Sequence, residues 1–140
     1  MDSVVIEQKL ESLRRCLQRV KTKCPADADT LAADFDLQDI VSLNLSRAVQ
    51  LCVDIGAHLI ASTEALPPNT MGETFDTLTQ TGVIDRELAL KLKKAVGFRN
   101  IAMHHYDAIN WIMVHSIVKN QLTDFSAYAK AIALTLIDDA

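Results

Sequence analysis

The sequence contains few prolines, glycines and aromatic residues, and these shortages exclude several kinds of fold. Three prolines, four glycines and an aromatic share of 5% are too few for the turns and aromatic strands of a β-sandwich. Hydrophobic residues make up 49% of the 140 positions, which favours helices packed through Leu, Ile, Val and Ala. The length fits one domain with a buried core, so we expect a single all-α domain over residues 1–140.

Long apolar runs are also missing, and no secretory signal is visible. No stretch approaches the roughly 20 apolar residues that span a bilayer. The opening MDSVVIEQKLESLRR lacks the basic and apolar regions of a secretory signal. Cys16, Cys24 and Cys52 match no zinc or redox spacing. We therefore expect a cytoplasmic protein with reduced thiols and no membrane contact.

Positive charge is scarce as well. The formal net charge of −4 at pH 7 argues against a surface coated with basic residues for nucleic acid. Any positive charge that serves RNA must be local. The first predicted helix, residues 3–23, carries a basic cluster on its polar side: Arg14, Arg15, Arg19, Lys21 and Lys23. A basic helix end is usually a solvated surface, and a phosphate-binding patch is the alternative.

Apolar residues recur every three or four positions and divide the chain into helices. The stripe of the first helix is Ile6, Leu10, Leu13, Leu17 and Val20. A loop with at most a helical turn follows, and then a long helix over residues 37–61 with Asp36 as its expected N-cap. This helix also carries a polar stripe that suits a cleft, a subunit interface or solvent: Asn44, Arg47, Gln50, Asp54 and His58.

The second half of the chain contains the clearest helix boundaries. Prolines at 67–68 end the long helix. Thr70, in a Thr-x-x-Glu capping box, starts a short helix that Gly82 stops. Two further helices follow, the first capped by Asp85 and the second beginning near residue 107 or 108. We therefore expect an all-α, up-and-down bundle of four main helices plus one short helix.

Polar and titratable side chains crowd the segment GFRNIAMHHYD, residues 97–107. Arg99 continues the inward row of its helix, where an unpaired guanidinium is costly to bury. Tyr106 falls on the same face if the helix continues, whereas His104 lies about 140° around an ideal helix from Arg99. Arg99 and His104 can therefore meet one ligand in two ways. Either the helix ends or bends between them, or two chains share the site across a twofold axis.

These side chains suit metal-independent cleavage of RNA. Histidine can take the proton of the attacking 2′-hydroxyl or protonate the leaving 5′-oxygen, and arginine matches the phosphate. Asn100 can orient Arg99. We expect no metal and no cofactor, because no carboxylate cluster has metal-ligand spacing and the adjacent side chains of His104 and His105 diverge. On residue chemistry alone, a solvated helix end remains the commoner alternative.

The run RNIAMHHY, residues 99–106, fits the pattern Arg-x4-His-x-Tyr with Asn directly after the Arg. It resembles the HepT-like toxins of the HEPN superfamily. The segments FDLQDIVSLNLSRAVQLCVDIGAHLI and MGETFDTLTQTGVIDRELALKLKKAVGFRNIAMHHY are similar to that family in order and spacing. The resemblance implies an all-α homodimer in which the motifs of both subunits form a composite cleft.

The resemblance also implies an activity and a partner. Members of the family are metal-independent endoribonucleases that stop growth by cutting cellular RNA, and a minimal nucleotidyltransferase, MntA, serves as antitoxin. Carried over, Arg99 and His104 are catalytic and Asn100 supports them. Tyr106 becomes the tyrosine to which the antitoxin transfers AMP from ATP. His105 occupies the variable position of the motif and receives no role.

The polar stripe of the long helix adds a prediction that the family does not supply. Arg47, Asp54 and His58 should face the cleft or its rim, and Asp54 should hold Arg99 in position. Two alternatives to a nuclease stay open. In one, the domain is a non-catalytic subunit that presents a nucleotide or substrate to the nucleotidyltransferase. In the other, it is a structural helical dimer whose motif is only a satisfied helix end.

Overall fold

Helices make up the regular secondary structure of the chain. The computed structural model describes residues 3–138, and within them it contains seven α-helices, one 3-10 helix and no strand. The α-helices are α1 Ser3–Lys23, α2 Ala28–Ala33, α3 Phe35–Ala61, α4 Met71–Gln80, α5 Arg86–His104, α6 Trp111–Asn120 and α7 Leu122–Asp138, and the 3-10 helix η1 spans Tyr106–Ala108. The prediction of an all-α fold is confirmed.

The central helix of the fold is α3. It packs against α1, α2, α4, α5 and α7, and the stripe of α1 that faces it includes the fully buried Ile6, Leu13 and Val20, as the periodicity predicts. By length and hydropathy α3 is apolar enough to cross a membrane, although the sequence analysis expected no such stretch. However, 61% of that apolar window is buried inside the protein, as expected of the core helix of a bundle.

Gly56 of α3 lies where α4 and α7 come close to this helix. A Cβ atom there would lie 2.6 Å from Cγ2 of Thr74 on α4 and 3.0 Å from the hydroxyl oxygen of Tyr128 on α7. Tyr128 is fully buried, and its hydroxyl donates a 2.7 Å hydrogen bond to the carbonyl oxygen of Cys52. Its ring meets Phe75 of α4 edge-on, with centroids 5.7 Å apart. These contacts join α3, α4 and α7 in one core.

The boundaries of α4 and the start of α5 follow the predicted signals. The Thr70 hydroxyl accepts a 3.2 Å hydrogen bond from the backbone N–H of Glu73. After α4, Gly82 has a φ of +82°, a left-handed conformation that glycine adopts without strain. The Asp85 carboxylate accepts a 2.8 Å hydrogen bond from the N–H of Leu88. The glycine stop, the Asp85 cap and the Thr70 half of the capping box are confirmed. The Glu73 carboxylate, however, accepts a 2.7 Å hydrogen bond from the N–H of Asn69 rather than from that of Thr70.

The start of α3 lies two residues earlier than predicted. Asp34 rather than Asp36 is the N-cap, because its side chain accepts a 3.0 Å hydrogen bond from the N–H of Leu37. Asp34 also follows α2 directly. The segment expected to be a loop with a turn is therefore a six-residue helix joined to α3 at a single shared residue.

The last predicted helix is wrong in its extent. Residues 106–108 form η1, and the rest divides into α6 and α7 at Gln121. Gln121 leaves the helical conformation, with φ −124° and ψ 1°, and its carbonyl oxygen accepts a 3.1 Å hydrogen bond from the N–H of Asp124. Neither Gly nor Pro marks this break, so the apolar periodicity continues through it. This break and the additional helix α2 explain why residues 3–138 contain more helices than the predicted four main helices and one short helix.

Candidate functional site

The motif begins on the last turns of α5, which runs without a break from Arg99 to His104. The chain leaves the helix at His105, with φ −141° and ψ 53°. Arg99 and His104 are therefore about 140° apart around one helix. No hydrogen bond or ion pair joins them within residues 3–138. The helix does not end between the two residues, so a helix end there does not bring them together.

Arg99 is half-buried and keeps most of its hydrogen-bonding capacity. Its Nη1 donates a 3.3 Å hydrogen bond to Oδ1 of Asn100. In the described part of the chain, no carboxylate forms an ion pair with it. A guanidinium has five N–H donors, so the contact with Asn100 leaves donors free for an anionic ligand. Asn100 is the residue that contacts Arg99 in this way, and its supporting role stays a prediction.

If α5 continued, Tyr106 would lie on the same helical face as Arg99. The helix ends at His104, two residues before Tyr106, so Tyr106 does not share that face. It lies in η1 and is 40% exposed. Its hydroxyl donates a 2.7 Å hydrogen bond to Oδ1 of Asp39 on α3, and its ring meets Trp111 edge-on at 5.8 Å. Burial and the hydrogen bond to Asp39 raise the pKa of the Tyr106 hydroxyl. The hydroxyl is thus held in its protonated form.

Asp39 and Trp111 are contacts of the motif that the sequence analysis missed. Asp39 precedes Tyr106 by 67 residues, so no local spacing connects the two. The one available signal is the charge of Asp39 near the start of α3, and it does not identify a partner. Trp111 is close in sequence, but its contact depends on the turn through η1, which helical periodicity does not predict.

The polar stripe of α3 faces α1 rather than α5. Arg47 and Asp54 line a groove between α3 and α1. One Asp54 carboxylate oxygen lies 3.9 Å from Nζ of Lys9 on α1, and the other accepts a 2.9 Å hydrogen bond from Gln50. Within one described chain, Asp54 is therefore not a partner of Arg99. His58 is exposed and lies next to the end of the groove that Asp54 and Lys9 occupy.

Apolar side chains are exposed on the elements that carry the motif and its contacts. Five of them, here called the apolar rim, are Leu43 on α3, Ile101 and Met103 on α5, and Ile112 and Met113 on α6. Ile101 and Met103 lie between Arg99 and His104 in sequence, and the other three adjoin Asp39 or Trp111. Exposed apolar groups beside polar residues are typical of an interaction surface.

Ligands for a metal are not grouped at this site. Among residues 3–138, no three or more His, Cys, Asp or Glu side chains are placed to hold a metal ion. The groups that the motif presents are a guanidinium with free donors, an exposed imidazole and a protonated phenol. Together they can bind an anionic phosphate, transfer protons and accept a group on the phenolic oxygen.

Comparison with known proteins places the chain in a family. The model of the HepT-like ribonuclease family matches residues 8–132. A curated relative named mRNA nuclease HepT, from Shewanella oneidensis, is 34% identical over 132 residues, which is 94% of this chain and 98% of the relative. Another, named tRNA nuclease HepT, from Aphanizomenon flos-aquae, is 27% identical over 137 residues, or 98% of this chain and 93% of the relative.

A solved structure agrees with this placement. The tri-AMPylated HEPN toxin of Shewanella oneidensis, in complex with MNT antitoxin, is similar to the present structure with a TM-score of 0.87 at 34% sequence identity. The similarity covers 93% of this chain and 97% of that one. The chain belongs to the HepT-like ribonuclease family of HEPN proteins.

Proposed function

We propose that this protein is the toxin of a toxin–antitoxin pair: a metal-independent endoribonuclease that cuts cellular RNA in the cytoplasm. An MntA-like nucleotidyltransferase neutralises it by transferring AMP to Tyr106. The names of two relatives, an mRNA nuclease and a tRNA nuclease, support an RNA substrate. The solved complex of an AMPylated toxin with an antitoxin supports the partner and the modification.

The observation that carries the proposal is the orientation of Arg99 and His104 on α5. They lie about 140° apart on an unbroken helix, so one chain cannot direct both at one phosphate. A second copy related by a twofold axis supplies the missing half, because each Arg99 can then meet the His104 of the other copy. The apolar rim around the motif offers this second copy a surface to bury.

The reaction needs a base, an acid and a cation. An imidazole of His104 accepts the proton of the 2′-hydroxyl as its oxygen attacks phosphorus, and the bond from phosphorus to the 5′-oxygen breaks. The imidazolium formed in this way then gives its proton to that leaving oxygen, so that one imidazole serves first as base and then as acid. Arg99 donates hydrogen bonds to the phosphate oxygens, where negative charge develops in the transition state. The products are a 2′,3′-cyclic phosphate and a 5′-hydroxyl.

Asn100 supports this core. It orients Arg99 through their 3.3 Å hydrogen bond. Arg47 and Asp54, expected at the cleft or its rim, line the groove between α3 and α1 instead, so the proposed cleavage gives them no role. In the transfer step, the Tyr106 oxygen attacks the α-phosphorus of ATP, pyrophosphate leaves, and the phenolic proton goes to a base. The resulting phosphodiester places a bulky anion near the site of the substrate phosphate.

The direct test uses the purified protein without antitoxin, single-stranded RNA and EDTA. We expect cleavage with cyclic phosphate ends. Arg99→Ala should lower kcat by about 10²–10³-fold, and His104→Ala by about 10²–10⁴-fold. His105→Ala is the matched control, because His105 is the adjacent exposed imidazole and should retain activity. Intact RNA with the parent protein, and no growth arrest on expression without antitoxin, would instead support a non-catalytic binding subunit.

A further inference from the structure

The groove between α1 and α3 is not used by the proposed reaction. It has a volume of about 540 Å³. Three guanidiniums line it: Arg15 and Arg19 on α1, and Arg47 on α3. Arg15 and Arg19 lie one helical turn apart, so their side chains follow the groove in a row. These are part of the basic cluster of the first helix, for which sequence alone left two explanations open.

The three guanidiniums are not neutralised by carboxylates. Within residues 3–138, none of them forms an ion pair, whereas the adjacent Arg14 pairs with Glu11 at 2.6 Å. The one carboxylate that lines the groove is Asp54, and it already lies beside Lys9. A protein with a net charge of −4 thus keeps a local excess of positive charge in one groove.

Two of the guanidiniums act on one thiol in the groove. Cys16 lines the groove and is half-buried. Burial raises the pKa of the Cys16 thiol, and the positive charges of Arg47 and Arg15 oppose that rise. Both guanidiniums therefore act on the same place, although one belongs to α1 and the other to α3.

The groove also adjoins the motif. Asp39, Leu43 and Arg47 follow one another at four-residue steps along α3, so they form one row on the helix surface. Asp39 holds the hydroxyl of Tyr106, and Arg47 lies about 12 Å further along the helix axis. The groove therefore opens on the same side of α3 as the contact with Tyr106.

We propose that the α1–α3 groove binds phosphates of the RNA substrate away from the scissile bond. This inference rests on the proposed nuclease function and extends it. Three unpaired guanidiniums suit a chain of phosphates, since arginine binds phosphate through paired hydrogen bonds. A protein partner fits less well, because protein interfaces centre on buried apolar residues. Among the described residues that line the groove, only Leu51 and Cys16 are apolar.

Binding is tested in a His104→Ala background, so that the RNA stays intact. Arg15→Gln, Arg19→Gln and Arg47→Gln should each weaken the binding of a single-stranded RNA by roughly two- to fivefold. Each should also reduce the slope of log affinity against log salt by about 1. Arg14→Gln is the matched control: it removes the same charge one residue away, but Arg14 pairs with Glu11 and lines a different groove. It should change neither quantity.

A second measurement uses Cys16 as a probe. Cys24 and Cys52 are buried, so an alkylating reagent should modify Cys16 first, and Cys16→Ser identifies the signal. Saturating RNA should slow this alkylation. The inference is overturned if Cys16 is alkylated at the same rate with and without RNA and the three Arg-to-Gln variants bind RNA as well as Arg14→Gln does. This outcome leaves the proposed function standing as long as the parent protein still cuts RNA. It is also overturned if the three variants lose affinity for the antitoxin but keep their affinity for RNA. A parent protein that never cuts RNA refutes the proposed function itself.

Discussion

The hydroxyl of Tyr106 donates a 2.7 Å hydrogen bond to Oδ1 of Asp39, which ties the end of the motif to the central helix α3. The ring of Trp111 meets the Tyr106 ring edge-on, with centroids 5.8 Å apart. An AMP group on the phenolic oxygen removes the hydrogen that this bond uses, and it brings a phosphate near the Asp39 carboxylate, where like charges repel. In the proposed function, modification therefore acts twice: it fills the phosphate site and releases the segment after α5.

Replacing Asp39 should change the titration of Tyr106. Burial and the hydrogen bond to Asp39 both raise the pKa of Tyr106. Asp39→Asn removes the negative charge but not the burial, so the pKa should fall towards its usual range. Tyrosinate absorbance against pH measures this, with Tyr106→Phe to identify the signal. Tyr128 does not interfere, because burial raises its pKa well above the usual value. An unchanged titration curve would show that the hydrogen bond is absent in solution.

Tyr106→Phe should abolish AMP transfer and preserve RNA cleavage. The phenolic oxygen is the acceptor of AMP but takes no part in the proposed cleavage. The other tyrosine, Tyr128, is fully buried and cannot replace it. Intact-mass measurement after incubation with antitoxin and ATP should show AMP adducts on the parent protein only. Adducts on the phenylalanine variant would place the modification elsewhere.

A charged residue in the apolar rim should prevent the two copies from forming a dimer. Met103→Glu puts a carboxylate where we place the interface, and burying an unpaired charge is costly. Light scattering should report a monomer, and RNA cleavage should be lost with the second copy. Leu90→Glu is the control, since Leu90 is 50% exposed, against 58% for Met103, and lies on the same helix away from the motif. If Met103→Glu and Leu90→Glu have the same oligomeric state and the same cleavage activity, the apolar rim is not part of the interface.

Gly56→Ala should destabilise the fold. Its Cβ would clash with Thr74 at 2.6 Å and press on Tyr128, and overpacking of this kind costs about 1–3 kcal/mol. Gly97→Ala is the control, because no atom outside its own turn lies within 4 Å of the added Cβ. That variant should be neutral or gain up to about 1 kcal/mol from helix propensity. Denaturant unfolding measures both changes, and equal stabilities would contradict the packing at Gly56.

Local signals predict much of this fold, and non-local contacts explain the rest. The limits of α1 and the caps at Thr70 and Asp85 follow from periodicity and side-chain capping, which act within one turn. The break at Gln121 carries no Gly or Pro, so no local rule marks it. The direction of the polar stripe depends on which neighbour α3 packs against, and periodicity alone does not specify it.

The candidate site divides in the same way. Residue chemistry makes Arg99 and His104 candidates, and the family resemblance assigns them the catalytic role. The angle between them could be predicted, because both lie on one regular helix. The bond from Tyr106 to Asp39 spans 67 residues and appears only when α3 and η1 are packed together. The groove of Arg15, Arg19 and Arg47 likewise requires α1 and α3 to lie side by side.

Complementation between two inactive variants tests the shared site most directly. A heterodimer of one Arg99→Ala copy and one His104→Ala copy, purified through two different tags, still contains one intact guanidinium and one intact imidazole on opposite subunits. If Arg99 and His104 work across the twofold axis, this heterodimer should cut RNA at about half the rate of the parent dimer, while each mutant homodimer stays inactive. A heterodimer as inactive as both homodimers would contradict a site built from two chains.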